Sequence, residues 1–163
     1  MKQVLVVGYG NPLRGDDGLG IAAVEMLIER AEAAEKTRQG AAAEPGVAIR
    51  FRALHQLTPE LASDLAEVDF AVFIDAACDN VQGEIAHRRV LPSHSAPDAF
   101  SHQLTPEVLL AMAERLYGRS PEAHLYSIGA ASFEYGEALS EAVRAALPAL
   151  VDRVQAACFA TQS

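Results

Sequence analysis

Apolar and polar positions along the chain follow two different periods, which predicts β-strands separated by α-helices. Residues 4–7 are all apolar and rich in valine, a run typical of a buried parallel strand. A turn rich in glycine and aspartate follows, and apolar residues then recur at helical spacing, which predicts a first helix over about 18–33. Open α/β proteins bind ligands at such strand-turn-helix units, so this turn is a candidate binding or catalytic site.

Four further strands are indicated in the middle of the chain and near its end. Weak alternation over Val47–Leu54 predicts a strand at a sheet edge, and the nearly all-apolar residues 70–76 predict a buried strand that carries Asp75 near its end. Residues 82–90 follow after a link too short for a crossover helix, so we expect an antiparallel edge strand there. The remaining strand is predicted over 124–131.

The helices complete a three-layer arrangement. Besides the first helix, the sequence predicts helices over about 58–66, 105–117 and 140–158. Thr58 and Thr105, each followed by Pro, are expected to cap the first two of these, and Pro148 should kink the last. Strands alternating with helices predict one α/β domain over residues 1–163, an α/β/α sandwich around a mostly parallel five-stranded sheet with one antiparallel strand.

Composition and charge exclude several classes of function. The 163 residues are 50% hydrophobic, enough for one domain with a sizeable core. A formal net charge of -9 argues against binding to nucleic acid or an anionic membrane, and no apolar run reaches the roughly 20 residues of a membrane span. Cys78 and Cys158 lie far apart without a CxxC motif, so we expect a cytoplasmic protein without a disulfide framework.

The loop after the first strand, residues 8–20, reads GYGNPLRGDDGLG and matches neither common phosphate-binding loop. Leu13 stands where a dinucleotide fingerprint has its third glycine, and Asp16-Asp17 stand where a P-loop has Lys and Ser or Thr. Two carboxylates would repel phosphate and suit a cation. A nucleotide-binding module is therefore disfavoured.

Three candidate ligands can meet at one edge of the sheet. They are Asp17 in this loop, Asp75 near the end of the third strand and His102 in the loop before the third helix. A strand order beginning 2-1-3 would make the carboxyl ends of strands one and three the topological switch point. Two carboxylates and an imidazole suit a divalent ion of the nickel or zinc type and leave positions open for water or substrate. Structural roles compete: an Asp at a helix start is commonly an N-cap, for which Asp16 is the stronger candidate.

Four ordered segments resemble the nickel-iron hydrogenase maturation endopeptidases. They are GYGNPLRGDDGLG at 8–20, VFIDA at 72–76, SHQL at 101–104 and IGAASFEYGEALSEAV at 128–143. The resemblance implies a hydrolase that removes a C-terminal extension from a hydrogenase large-subunit precursor after nickel insertion, activating the hydrogenase. It also implies that Asp17, Asp75 and His102 bind the metal and carry catalysis, the metal being the nickel of the precursor.

The chain departs from this family's pattern after the second strand. His55 and Gln56 stand where many members carry a Gly-Gly-Thr-like segment, so we expect these two residues to contact the substrate or its metal. Two mechanisms stay open: the metal polarises the carbonyl or activates a water, or a carboxylate acts as general base in the manner of an aspartic peptidase. A non-catalytic nickel-sensing chaperone, or metal-binding assembly factor, could use the same ligands.

Overall fold

The computed structural model describes residues 1–37, 46–94, 104–136 and 138–160. Within those ranges five strands form one sheet: β1 (Lys2–Tyr9), β2 (Val47–Leu54), β3 (Phe70–Ala77), β4 (Ile85–Val90) and β5 (Glu122–Gly129). The α-helices there are α1 (Leu19–Thr37), α2 (Leu61–Ala66), α3 (Pro106–Tyr117) and α4 (Glu141–Phe159), and a turn of 3-10 helix, Gly15–Gly18, precedes α1. Among these helices, none is long and apolar enough to cross a membrane.

The strand order is β2-β1-β3-β5-β4, which confirms the predicted fold class and the 2-1-3 order at the centre of the sheet. β1 pairs in parallel with β2 and β3, and β3 pairs in parallel with β5. β4 runs antiparallel to β5 at one edge, as the short link after β3 predicted. β2 forms the other edge, and its partly exposed residues explain its weak alternation.

Two apolar cores, one on each face of the sheet, hold the three layers together. Val4 and Val6 of β1 point into the core formed with α1 and α4, whereas Leu5 and Val7 point into the core formed with α2 and α3. All four side chains are fully buried, and each such burial contributes about 1.5–3 kcal/mol to stability. The sheet is therefore a stiff base for the loops at its carboxyl edge.

The start of α1 lies directly on the ends of the central strands because glycines permit a close approach. A Cβ on Gly20 would lie 2.5 Å from the carbonyl oxygen of Ile74 and 2.7 Å from the backbone nitrogen of Tyr9. A Cβ on Gly8 would collide with the Gly20 carbonyl. This contact fixes the loop between β1 and α1, which carries Asp17, against β3.

The boundaries of several elements differ from the prediction; β4, for example, begins at Ile85, three residues later than predicted. β5 begins and ends two residues earlier than predicted, because Ala131 leaves the sheet and donates its N–H to the carboxylate of Asp16. α1 continues to Thr37, past the predicted end at residue 33, over residues that favour helix. α4 runs through Pro148 with Ser140 as its N-cap, and the kink at Pro148 stays a prediction.

The two Leu-Thr-Pro-Glu segments start their helices differently. Thr105 caps α3 as predicted: its Oγ1 accepts a hydrogen bond from the N–H of Val108 at 3.2 Å. The predicted cap at Thr58 is wrong, because α2 begins only at Leu61 and its N-cap residue, Glu60, makes no side-chain cap. Residues 58–60 form a turn instead, closed by the Leu61 N–H on the Thr58 carbonyl at 3.1 Å.

Candidate active site

The carboxyl ends of β1 and β3 open into a cleft of about 520 Å³. Its lining includes Tyr9, Asp17, His55, Gln56 and Asp75. β1 connects outward to β2, whereas β3 lies on the side that leads to β5, so the cleft lies at the topological switch point of the sheet. The structure thus brings together four of the five predicted site residues, which follow or end β1, β2 and β3. Their roles stay predictions.

Asp17 is held at the cleft by the backbone of its own loop. The N–H of Asn11 donates to Oδ2 of Asp17 at 2.7 Å. Gly10 makes this geometry possible, because its φ of +138° is strained for other residues and a Cβ there would lie 3.1 Å from Oδ1 of Asp17. The half-buried carboxylate is therefore oriented before any ligand arrives.

Asp75 enters the same cleft near the end of β3. Burial raises the pKa of its carboxyl to about 6, although hydrogen bonds from the backbone N–H of Ala76 and from the Tyr9 hydroxyl pull the pKa down. The negative charge of Asp17 raises the pKa of Asp75 further. A partly buried carboxylate whose ionisation is disfavoured by burial and by the neighbouring charge of Asp17 makes a site in which a bound cation is stabilising.

Tyr9 is a part of the cleft that the sequence did not reveal. Burial, together with the charge of Asp75 and the hydrogen bond to it, raises the pKa of the Tyr9 hydroxyl far above its usual value. The hydroxyl therefore stays protonated and donates to Asp75. The one available signal was strand alternation, which puts Tyr9 on the same face of β1 as Leu5 and Val7.

A complete metal site is not visible in the described part of the chain. His102, the predicted imidazole ligand, lies outside the described residues. Within the described ranges, no group of three His, Cys, Asp or Glu side chains is placed to hold a metal ion. Asp17 and Asp75 supply two oxygen donors, and the predicted set needs a third ligand from His102 or from the substrate.

Asp16, the neighbour of Asp17, is a structural residue, and its predicted role as a helix cap is wrong. Its fully buried carboxylate accepts backbone N–H bonds from Ala131 at 2.8 Å, Ser132 at 3.1 Å and Ser140 at 2.7 Å. Burial alone would raise the pKa of Asp16, but these hydrogen bonds outweigh it and hold the pKa below its usual value. Asp16 thus ties the segment between β5 and α4 to the loop that carries Asp17.

A second cleft of about 530 Å³ lies on the other side of Asp75. Asp75 lines both clefts, and Cys78 and Arg88 line the second one. The Arg88 guanidinium pairs with the carboxylate of Glu107 at 2.6 Å. Cys78 therefore lies near the candidate active site.

Several solved structures of hydrogenase maturation proteases share this fold. The maturation protease HycI from Thermococcus kodakarensis KOD1 matches with a TM-score of 0.67 at 21% identity, covering 94% of this chain and 90% of that one. The endopeptidase HybD from E. coli matches with a TM-score of 0.64 at 25% identity, covering 96% and 91%. HybD from Thermococcus kodakarensis matches with a TM-score of 0.66 at 22% identity, covering 97% and 99%.

The chain has the fold of the nickel-iron hydrogenase maturation endopeptidases. The family resemblance of the sequence motifs is thereby confirmed at the level of structure. No protein-family model matches the chain, and no curated protein matches it by sequence. Within this maturation-endopeptidase fold, the cleft at β1 and β3 is the place where the paired carboxylates meet.

Proposed function

We propose that the protein is an endopeptidase that removes the C-terminal extension of a nickel-iron hydrogenase large-subunit precursor after nickel insertion. The observation that carries this proposal is the convergence of Asp17 and Asp75 in one cleft at the switch point of the sheet. The names of the structural neighbours, which are maturation proteases, support the same activity. Removal of the extension would activate the hydrogenase, and we expect this step in the cytoplasm.

The nickel of the precursor is proposed to be the recognition signal. Asp17, Asp75 and His102 would bind it as part of the substrate, with carboxylate and imidazole donors that suit nickel. A divalent cation between Asp17 and Asp75 would offset the burial and the Asp17 charge, both of which raise the pKa of Asp75. We expect modest affinity for free nickel, because two carboxylates and one imidazole leave coordination positions for the precursor to fill.

The hydrolytic step needs a polarised carbonyl and a water that loses a proton as it attacks. In one route the nickel of the precursor polarises the scissile carbonyl or activates the water. In the other route a carboxylate of Asp17 or Asp75 accepts the proton from the water, as in aspartic peptidases. The two routes differ in one measurable respect. Only in the metal route would the rate of cleavage depend on the Lewis acidity of a metal that replaces nickel in the precursor.

His55 and Gln56 are proposed to contact the peptide. They follow β2 and line the same cleft as Asp17 and Asp75. A polypeptide that presents its scissile bond to the carboxylates would therefore pass beside them. This is where the chain departs from the Gly-Gly-Thr-like segment of many family members.

The test is a cleavage assay on a nickel-loaded large-subunit precursor, with a nickel-free precursor beside it. We expect nickel-dependent removal of the tail by the wild type, and losses of about 100-fold or more for Asp17→Asn, Asp75→Asn and His102→Ala. Asp152→Asn, an exposed residue of α4, is the matched control and should cleave normally. Tight binding of nickel or precursor without cleavage by the wild type would contradict the protease and favour the nickel-sensing chaperone.

A further inference from the structure

The loop that carries Asp17 is joined by hydrogen bonds to the segment between β5 and α4. Arg14 and Gly136 form a parallel β-bridge, in which the Gly15 N–H donates to the Gly136 carbonyl at 2.8 Å and the Gly136 N–H donates to the Leu13 carbonyl at 2.7 Å. Gly15 fits only because it has no side chain: its φ is +56°, and a Cβ there would lie 2.8 Å from the Ser132 carbonyl. The buried carboxylate of Asp16 strengthens the connection between the same two segments with its three backbone hydrogen bonds.

The two connected segments carry two large apolar side chains that are exposed to solvent. Leu13 is 40% exposed and Tyr135 is 85% exposed. Single exposed apolar residues are ordinary on a protein surface. These two are different because they lie on two hydrogen-bonded backbone segments: the N–H of Gly136, the residue after Tyr135, donates to the Leu13 carbonyl. We refer to the pair as the Leu13–Tyr135 surface.

A short chain of hydrogen bonds connects the Leu13–Tyr135 surface to the candidate active site. The N–H of Leu13 donates to Oδ1 of Asn11 at 3.0 Å, and the N–H of Asn11 donates to Oδ2 of Asp17 at 2.7 Å. The surface therefore belongs to the same rigid loop as the Asp17 carboxylate. Because Leu13 and Asp17 belong to one loop, a protein that delivers a peptide bond to Asp17 would come close to the Leu13–Tyr135 surface.

We propose that the Leu13–Tyr135 surface is the docking site for the folded body of the large-subunit precursor, an inference that rests on the proposed function. Tyrosine is a frequent energetic anchor at protein interfaces, since its ring buries a large apolar area and its hydroxyl keeps a polar contact. The ordered backbone lowers the entropic cost of binding. The partner is expected to offer an apolar pocket for the ring of Tyr135.

A second copy of this chain is a less suitable occupant than the precursor. A dimer built on the Leu13–Tyr135 surface would cover the rim of the cleft that contains Asp17, and would hinder the approach of a protein substrate. A precursor, by contrast, buries the same rim only when its scissile bond is in place. Docking on this surface would thus couple recognition of the precursor body to presentation of its tail.

The experiment compares Leu13→Ser and Tyr135→Ser with a matched pair elsewhere on the molecule. Leu116 and Tyr117, at the end of α3, are 64% and 54% exposed and supply the controls Leu116→Ser and Tyr117→Ser. With nickel-loaded precursor as substrate, we expect Tyr135→Ser to raise KM about tenfold or more and Leu13→Ser to raise it less, with kcat nearly unchanged. The two control variants should match the wild type.

Three results would overturn the docking proposal. Equal changes in the control variants would show a general effect of losing surface apolar groups. A lower kcat with unchanged KM would show that the surface acts on the geometry of Asp17. Dissociation of a wild-type dimer by Tyr135→Ser in sedimentation would assign the surface to a second copy. If the wild type binds the precursor without cleaving it, the proposed function fails, and the same variants are then compared by precursor affinity.

Discussion

At Asp16 the fold buries a carboxylate and satisfies it with hydrogen bonds that include those from three backbone N–H groups. A carboxylate transferred from water without partners would be strongly destabilising, but three charge-assisted hydrogen bonds from Ala131, Ser132 and Ser140 offset that cost. The next residue, Asp17, points instead to the cleft. Asp16 thus stabilises the structure of the loop, whereas Asp17 is the candidate functional group. The hydrogen bonds of Asp16 also help to position Asp17.

Asp16→Asn should destabilise the protein in a pH-dependent way. The pKa of Asp16 is lower in the folded than in the unfolded state, so its stabilisation is present above the unfolded pKa of about 3.9 and is lost as pH falls through the lower folded pKa. An amide would put a donor against the N–H groups, so we expect a loss of about 2–3 kcal/mol at pH 7. Urea unfolding at pH 7 and at the lowest pH where both proteins fold measures it.

The difference between wild type and Asp16→Asn should shrink as the wild-type carboxyl becomes protonated. Asp152→Asn removes an exposed carboxylate of α4 and is expected to change unfolding by less than about 1 kcal/mol. An Asp16→Asn loss of constant size at every pH would contradict the role given to the Asp16 charge. So would a loss no larger than that of Asp152→Asn.

Among the elements, the paired Leu-Thr-Pro-Glu segments show how the same sequence takes two local structures. At Thr105 the chain enters α3 directly and the side chain caps the helix. At Thr58 the chain first makes a turn that lines the cleft, and α2 begins three residues later. The flanking packing decides between the two, since capping preference is the same in both copies.

Thr105→Ala should cost more stability than Thr58→Ala. The first change removes the hydrogen bond from the Val108 N–H, worth about 1 kcal/mol at an N-cap, whereas the second removes no helix cap. Thr105→Ser keeps the hydroxyl and should retain most of the stability. Chemical denaturation of the three variants measures these differences, and equal losses for Thr58→Ala and Thr105→Ala would contradict the assigned cap.

Local sequence pattern was sufficient to predict most helices and strands and four of the residues that line the cleft. The short link after β3 predicted its antiparallel neighbour, and a carboxylate near the end of an apolar strand pointed to Asp75. Asp16 and Tyr9 were beyond such reasoning, because their partners are distant in sequence: Ala131 lies 115 residues from Asp16. Long-range packing, which periodicity does not encode, selected which of two adjacent Asp residues faces the cleft.

At the scale of the whole molecule, the parallel sheet gathers distant segments at one edge. β1 supplies Tyr9 and the Asp17 loop, β2 leads to His55 and Gln56, and β3 supplies Asp75. Both faces of the sheet are covered by helices, so the strand ends that carry these groups move little relative to one another. Asp17 and Asp75 are therefore expected to work as one site.

The most direct test of that claim is the single-turnover rate of tail removal from nickel-loaded precursor by Asp17→Asn, Asp75→Asn and the double variant. Groups that act as a unit lose nearly all activity with the first substitution, so the double variant should be within about tenfold of the slower single variant. Asp152→Asn is again the control. Losses that multiply in the double variant, or a wild-type rate in either single variant, would contradict a shared site.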